Sequence, residues 1–155
     1  MLVNIREFEK LTLKNPVLIE GFPGVGMVGT ISASYLAEKL GMKLIGCISS
    51  SHFPPLSAIH DYKPVYPARI YASKELNLIV LFSEFVIPAD VVFALSSAIL
   101  RYAKDKKASA IYSLAGIATD TPQDTFHGIA STPEIADLLK KNGVQLIKEG
   151  ATQGV

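Results

Sequence analysis

Residues 15–29 read Asn-Pro-Val-Leu-Ile-Glu-Gly-Phe-Pro-Gly-Val-Gly-Met-Val-Gly. A short apolar run enters a cluster of glycines, and a helix-compatible stretch follows. This strand–turn–helix grammar constrains the chain more than any other segment. Gly24, Gly26 and Gly29 satisfy G-x-G-x-x-G in the context where a dinucleotide fold turns tightly onto a helix N-terminus. The rest of that fingerprint is missing. A ribose-binding acid should follow about 20 residues on, yet no Asp or Glu occurs between Lys39 and His60. No Lys-Ser/Thr pair completes a phosphate-binding P-loop either. Three roles remain for the glycines: close packing of helix on strand, approach of another subunit, or binding of some other anion.

The punctuation downstream alternates strands and helices. Pro16–Glu20 reads as a buried strand and 26–40 as a helix, with Val28, Ile31, Tyr35, Leu36 and Leu40 on one face and Gly41 ending it. Residues 43–48 give the next strand, closing a possible βαβ unit. An irregular segment rich in Pro, Ser and His covers 49–67, expected as a functional loop or a small strand excursion. Strands are expected at 69–72 and 76–82, then a helix from Pro88 to about Lys104 with Val91, Val92, Leu95, Ile99 and Tyr102 inward. Further strands are expected at 108–114, 126–130 and 144–148. Thr132 and Pro133 start a last helix, Ile135, Leu138 and Leu139 face inward, and Asn142-Gly143 ends it. This order predicts an α/β fold with a largely parallel or mixed sheet. Residues 1–155 are expected to form one α/β domain, an N-terminal portion of a longer one, because Gly150-Ala151-Thr152-Gln153-Gly154 resembles the entry to another helix.

Composition narrows the function classes. Hydrophobic residues make up 49%, charged residues 19%, and the net charge is +1. That balance suits a packed core and argues against disorder, nucleic acid and anionic membrane as partners. One cysteine, Cys47, excludes a disulfide framework, and its apolar strand predicts an inert buried thiol. No signal peptide or membrane span is expected, so the expected location is cytoplasmic. The low charge hints at self-association.

The polar residues offer one candidate ligand crevice. Glu84 follows a strand, as do Ser50 and His52, and Asp120 and His127 lie beyond another; open α/β sheets gather ligand residues at such strand ends. The three histidines have no metal spacing, so no metal is expected. No nucleophile elbow or paired-carboxylate motif is present. Arg69 and Arg101 are isolated and are assigned to surface or interface pairs. The aromatic and proline run from Phe53, Pro54 and Pro55 through Tyr62 and Tyr66 suits a protein interface, because prolines reduce the entropy lost on ordering and aromatics supply contact area.

The glycine block, with Gly41-Met42-Lys43, His52-Phe53-Pro54-Pro55, Arg69-Ile70-Tyr71, Ser83-Glu84-Phe85 and Gly116-Ile117, resembles the proteasome assembly chaperone two family, especially its archaeal branch. The resemblance covers nearly the whole chain. It implies a three-layer α/β/α fold of the phosphorylase/hydrolase-like type, homo-oligomers, and non-enzymatic binding of proteasome α-subunits without a cofactor. Some archaeal members end in a hydrophobic-Tyr-any tail that docks between α-subunits, a motif that Gln153-Gly154-Val155 does not match. The alternative function is a small-molecule or nucleotide-binding enzyme on the same fold, with the glycine turn taking an anion and Glu84 beside the ligand.

Overall fold

In a computed structural model, residues 2–121, 124–152 and 155 are described. Gln153 and Gly154 of the expected second glycine turn lie outside the described residues. The described residues separate into two compact units, one built from residues 2–116 together with Val155, the other from the described residues of 117–152.

The first unit is built on a six-stranded sheet. Its strands are β1 (Val3–Glu7), β2 (Val17–Gly21), β3 (Lys43–Ser50), β6 (Ala68–Ser73), β7 (Leu78–Ser83) and β8 (Ala110–Ser113), in the spatial order β1-β3-β6-β7-β2-β8. β7, β2 and β8 run parallel, whereas β6, β3 and β1 add on antiparallel to their neighbours. The sheet is therefore mixed. β3 is not the neighbour of β2 that a minimal βαβ unit would make it; β7 and β6 lie between them.

Helix α1 (Val28–Lys39) covers one face of the sheet, where Ala33 and Ala37 pack with Met42, Val80 and Phe82. Helix α2 (Val92–Asp105) covers the other, its Leu95, Ala98, Ile99 and Tyr102 joining Leu18, Ile70, Ile79 and Leu81. Alternation along β2 and β7 sends successive side chains to opposite helices, which gives the three layers. α2 turns inward the stripe expected of it.

α1 turns most of its expected face outward; of the five residues expected inward only Leu36 packs, half-buried, against the core. Ile31 and Tyr35 are each 59% exposed, and Val28 and Leu40 are exposed too. The buried residues are Gly29, Thr30, Ala33 and Ala37. The cause is close approach. A Cβ on Gly29 would meet the carbonyl oxygens of Leu114 and Phe22, so only a small-residue face can lie this close to the sheet. The start also differs: a 3-10 turn at Val25–Met27 precedes α1, with Gly26 at φ 63° and Met27 at φ 56°. Gly26 suits the left-handed conformation that this turn requires.

One strand, β1, lies outside the expected elements. β1 pairs along β3 from Val3 to Glu7. β4 (Ala58–His60) and β5 (Lys63–Val65) form a small antiparallel hairpin, the strand excursion weighed for 49–67.

The second unit holds α3 (Pro133–Lys141) and a parallel pair, β9 (His127–Gly128) with β10 (Gln145–Leu146). The expected strands at 126–130 and 144–148 shorten to these pairs. The Thr132 hydroxyl accepts the Ile135 N–H at 3.3 Å, the cap that the sequence indicated. Leu138, expected inward, is exposed, whereas Ile135 and Leu139 are half-buried.

Candidate docking site at one end of the sheet

β2, β3, β7 and β8 all run in one direction and finish at one end of the sheet. The glycine turn, Ser50-Ser51-His52, the β4–β5 hairpin and Glu84 all leave from that end. Strand ends of this kind gather the loops that meet ligands and partners.

The hairpin is two-faced. Strand alternation puts Ala58, His60, Lys63 and Val65 on one side and Ile59 with Pro64 on the other. Ala58 is buried and Val65 half-buried, whereas Ile59 is 74% exposed. Two residues, Asp61 and Tyr62, make the turn, with φ 48° and 61°. Positive φ at both central positions is the type I′ geometry, which favours Asn-Gly or Asp-Gly. A bulky residue in that conformation is an outlier. Tyr62 occupies it with its ring wholly in solvent. Behind the tip, the Tyr66 ring lies tilted against Phe8 with ring centroids 5.7 Å apart, and its hydroxyl accepts from Arg6 Nη2 at 2.8 Å.

An ion-pair cluster underlies the hairpin. Arg69, at the start of β6, is 3% exposed. Its guanidinium lies 5.1 Å from the centroid of Phe82, whose other neighbour is the stacked ring of Tyr71. Nη1 donates to the Tyr66 carbonyl at 3.2 Å, Nη2 donates to Glu84 Oε1, and Nε is buried without a partner. His60 Nε2 lies 2.7 Å from the same Glu84 oxygen. The surface role expected of Arg69 is therefore corrected: it is a buried cation held by Glu84.

The expected crevice residues divide. His52 Nδ1 pairs with Asp90 Oδ2 at 3.1 Å, and the His52 N–H donates to the half-buried Ser50 hydroxyl at 3.1 Å. Glu84 is committed to Arg69 and His60. The His52 and Glu84 ion pairs share no residue. Asp120, exposed, and His127, in β9, belong to the second unit. Among the described residues no group of three His, Cys, Asp or Glu side chains could hold a metal ion. Of the expected interface residues, Pro55, Tyr62 and Tyr66 are exposed, while Phe53 and Pro54 are half-buried. Phe53 packs edge-on against Phe85 with centroids 4.8 Å apart. Gly24 is exposed in the turn and Gly29 is a packing glycine.

Two buried groups have altered acidity. Burial pushes the Glu20 carboxyl up to about 7, an effect partly opposed by a hydrogen bond with Ser113. Burial also raises the Cys47 thiol, with Arg6 acting against it, so a thiolate nucleophile is disfavoured there.

The PAC2 family model matches residues 18–154. The chain belongs to the PAC2 family. A crystal structure of Pyrococcus furiosus PbaA, described as an archaeal homologue of proteasome-assembly chaperone, superposes with a TM-score of 0.85 at 35% identity. That match covers 98% of this chain and 66% of PbaA. P. furiosus PbaB, described as an archaeal proteasome activator, shares the fold with a TM-score of 0.82 at 22% identity, over 98% and 70% of the two chains. An uncharacterised protein of Methanocaldococcus jannaschii is 32% identical over 96% of this chain and 61% of its own length. The PAC2 chain thus spans about three-fifths of that relative. Among the described residues no helix is long and apolar enough to cross a membrane.

Proposed function

We propose that this PAC2 chain is a non-enzymatic docking module that binds proteasome α-subunits through its β4–β5 hairpin and associates with further copies of itself. Tyr62 carries the reading. A fully exposed aromatic ring is held at a left-handed turn position, where glycine would fit without strain. Strain at a position with no packing role points to use of the side chain outside the fold. Ile59 and Tyr66 extend the apolar surface, and aromatic anchors of this kind dominate interface energies. The description of PbaA as a homologue of proteasome-assembly chaperone supplies the partner class.

Self-association is assigned to a different face. Residues 21–37 carry no charged side chain, and Val25, Val28, Ile31 and Tyr35 are exposed along the glycine turn and α1. The occupant of this face is a second copy, because an uncharged aliphatic surface suits the apolar core of a homomeric contact.

The test is binding of purified archaeal α-subunits, followed by light scattering and interferometry, for the native chain and for Ile59→Ser/Tyr62→Asn. The double variant is expected to lose binding and keep its oligomeric state. Ile31→Asp/Tyr35→Asp is expected to do the reverse. Undiminished α-subunit binding by the hairpin variant contradicts the assignment.

A further inference from the structure

We propose that His60, Glu84 and Arg69 form a latch that holds the docking hairpin in its binding-ready pose, with His60 as the positioning residue. The inference rests on the hairpin being the docking element. β4 and β5 contribute three residues each, and an isolated two-stranded hairpin is marginal in water. Its pose must therefore be set by anchors. Ala58 provides one at the base, where the chain enters from the sheet. His60 provides the other, on the residue pair next to the turn, since His60 pairs across to Lys63.

The latch is built from the core outward. Arg69 is fixed first, by burial, by the Phe82 ring and by the Tyr66 carbonyl. It holds Glu84, and Glu84 Oε1 then faces His60 Nε2 at 2.7 Å. Arg69 Nη2 lies 3.4 Å from the same imidazole nitrogen. Two cationic or N–H groups thus converge on one carboxylate oxygen, which requires a proton on His60 Nε2. The neutral Nε2–H tautomer and the imidazolium both satisfy this. The arrangement links the hairpin tip to a rigid carboxylate at the end of β7. A pre-ordered tip loses less entropy when a partner arrives.

Two variants separate this role from simple stability. His60 is exposed, so His60→Ala should leave global unfolding near that of the native chain. Hydrogen exchange at the Ala58, Lys63 and Val65 amides, which lie in the hydrogen-bonded pairs of the hairpin, should rise by roughly three- to tenfold, the factor expected for losing one ordinary intramolecular hydrogen bond at an exposed position. Affinity for a purified archaeal α-ring should fall by a similar factor. His60→Gln restores an N–H donor and should return both readouts most of the way. Unchanged hairpin exchange in His60→Ala overturns the latch. Faster exchange with undiminished affinity overturns its role in docking. If the native chain itself ignores the α-ring, the docking reading fails while the exchange measurement still decides the latch.

Discussion

Tyr62→Asn is expected to stabilise the fold while removing the docking group. An L-residue in the left-handed region costs about 1–2 kcal/mol, and Asn is several-fold enriched there over other residues with a side chain. The ring at position 62 is wholly exposed, so its removal forfeits no burial. The expected gain is about 0.5–1 kcal/mol, and at roughly 2–4 °C per kcal/mol for a chain of this size the thermal midpoint should rise by about 1–4 °C. Thermal unfolding followed by circular dichroism reads the shift, and the α-subunit titration is run on the same samples. A variant that is less stable by 1 kcal/mol or more would refute the reasoning, because Tyr62 would then be making native contacts. Greater stability with native affinity would refute the functional half.

Three further outcomes follow from buried groups. Glu20 has a folded value near 7 against an ordinary 4.5, so the folded state keeps its proton where the unfolded chain has lost it. Its contribution is fully present below the unfolded value and declines as pH rises to about 7; Glu20→Gln should therefore flatten the denaturant-unfolding profile between pH 5 and 8 and be more stable at pH 8 by on the order of 2–4 kcal/mol. Gly29→Ala should cost about 2–3 kcal/mol by forcing α1 away from the Leu114 and Phe22 carbonyls, whereas Gly24→Ala, with nothing within 4 Å, should cost under about 1 kcal/mol; equal losses in chemical denaturation would undo the packing account of the block. Leu81→Ala, which empties a fully buried position in β7, should lose about 2–5 kcal/mol in the same assay, and a loss below 1 kcal/mol would contradict the placement of the core.

The strand and helix order was legible because β2, β7 and α2 announce themselves by apolar content alone. α1 was misread for a physical reason. Its amphipathicity is one of size: Gly29, Ala33 and Ala37 face the sheet because Gly21 and Gly29 bring the two backbones together, and the bulky residues are left outside. A stripe of large apolar residues is a poor guide where close approach selects small ones. β1 does carry a period-two pattern, Val-Asn-Ile-Arg-Glu, but five residues ending in two charged ones make a weak strand signal. Of the hairpin only a small strand excursion within 49–67 was legible, without bounds, since its strands are three residues long and its turn is Asp-Tyr rather than Asn-Gly. The exposure of Tyr62 and Tyr66 agrees with the aromatic and proline run in which they lie. The latch was not: His60, Arg69 and Glu84 are far apart in sequence and meet only through the β6–β7 pairing and the fold of the hairpin.

The most direct test places a photo-crosslinking phenylalanine at position 62 and a control at exposed Lys39, and irradiates each with purified α-subunits. Position 62 should give a covalent adduct with an α-subunit, and position 39 should give none. Adducts of equal yield from both positions, or none from position 62 in a sample that demonstrably binds, would contradict the assignment of the hairpin as the docking element.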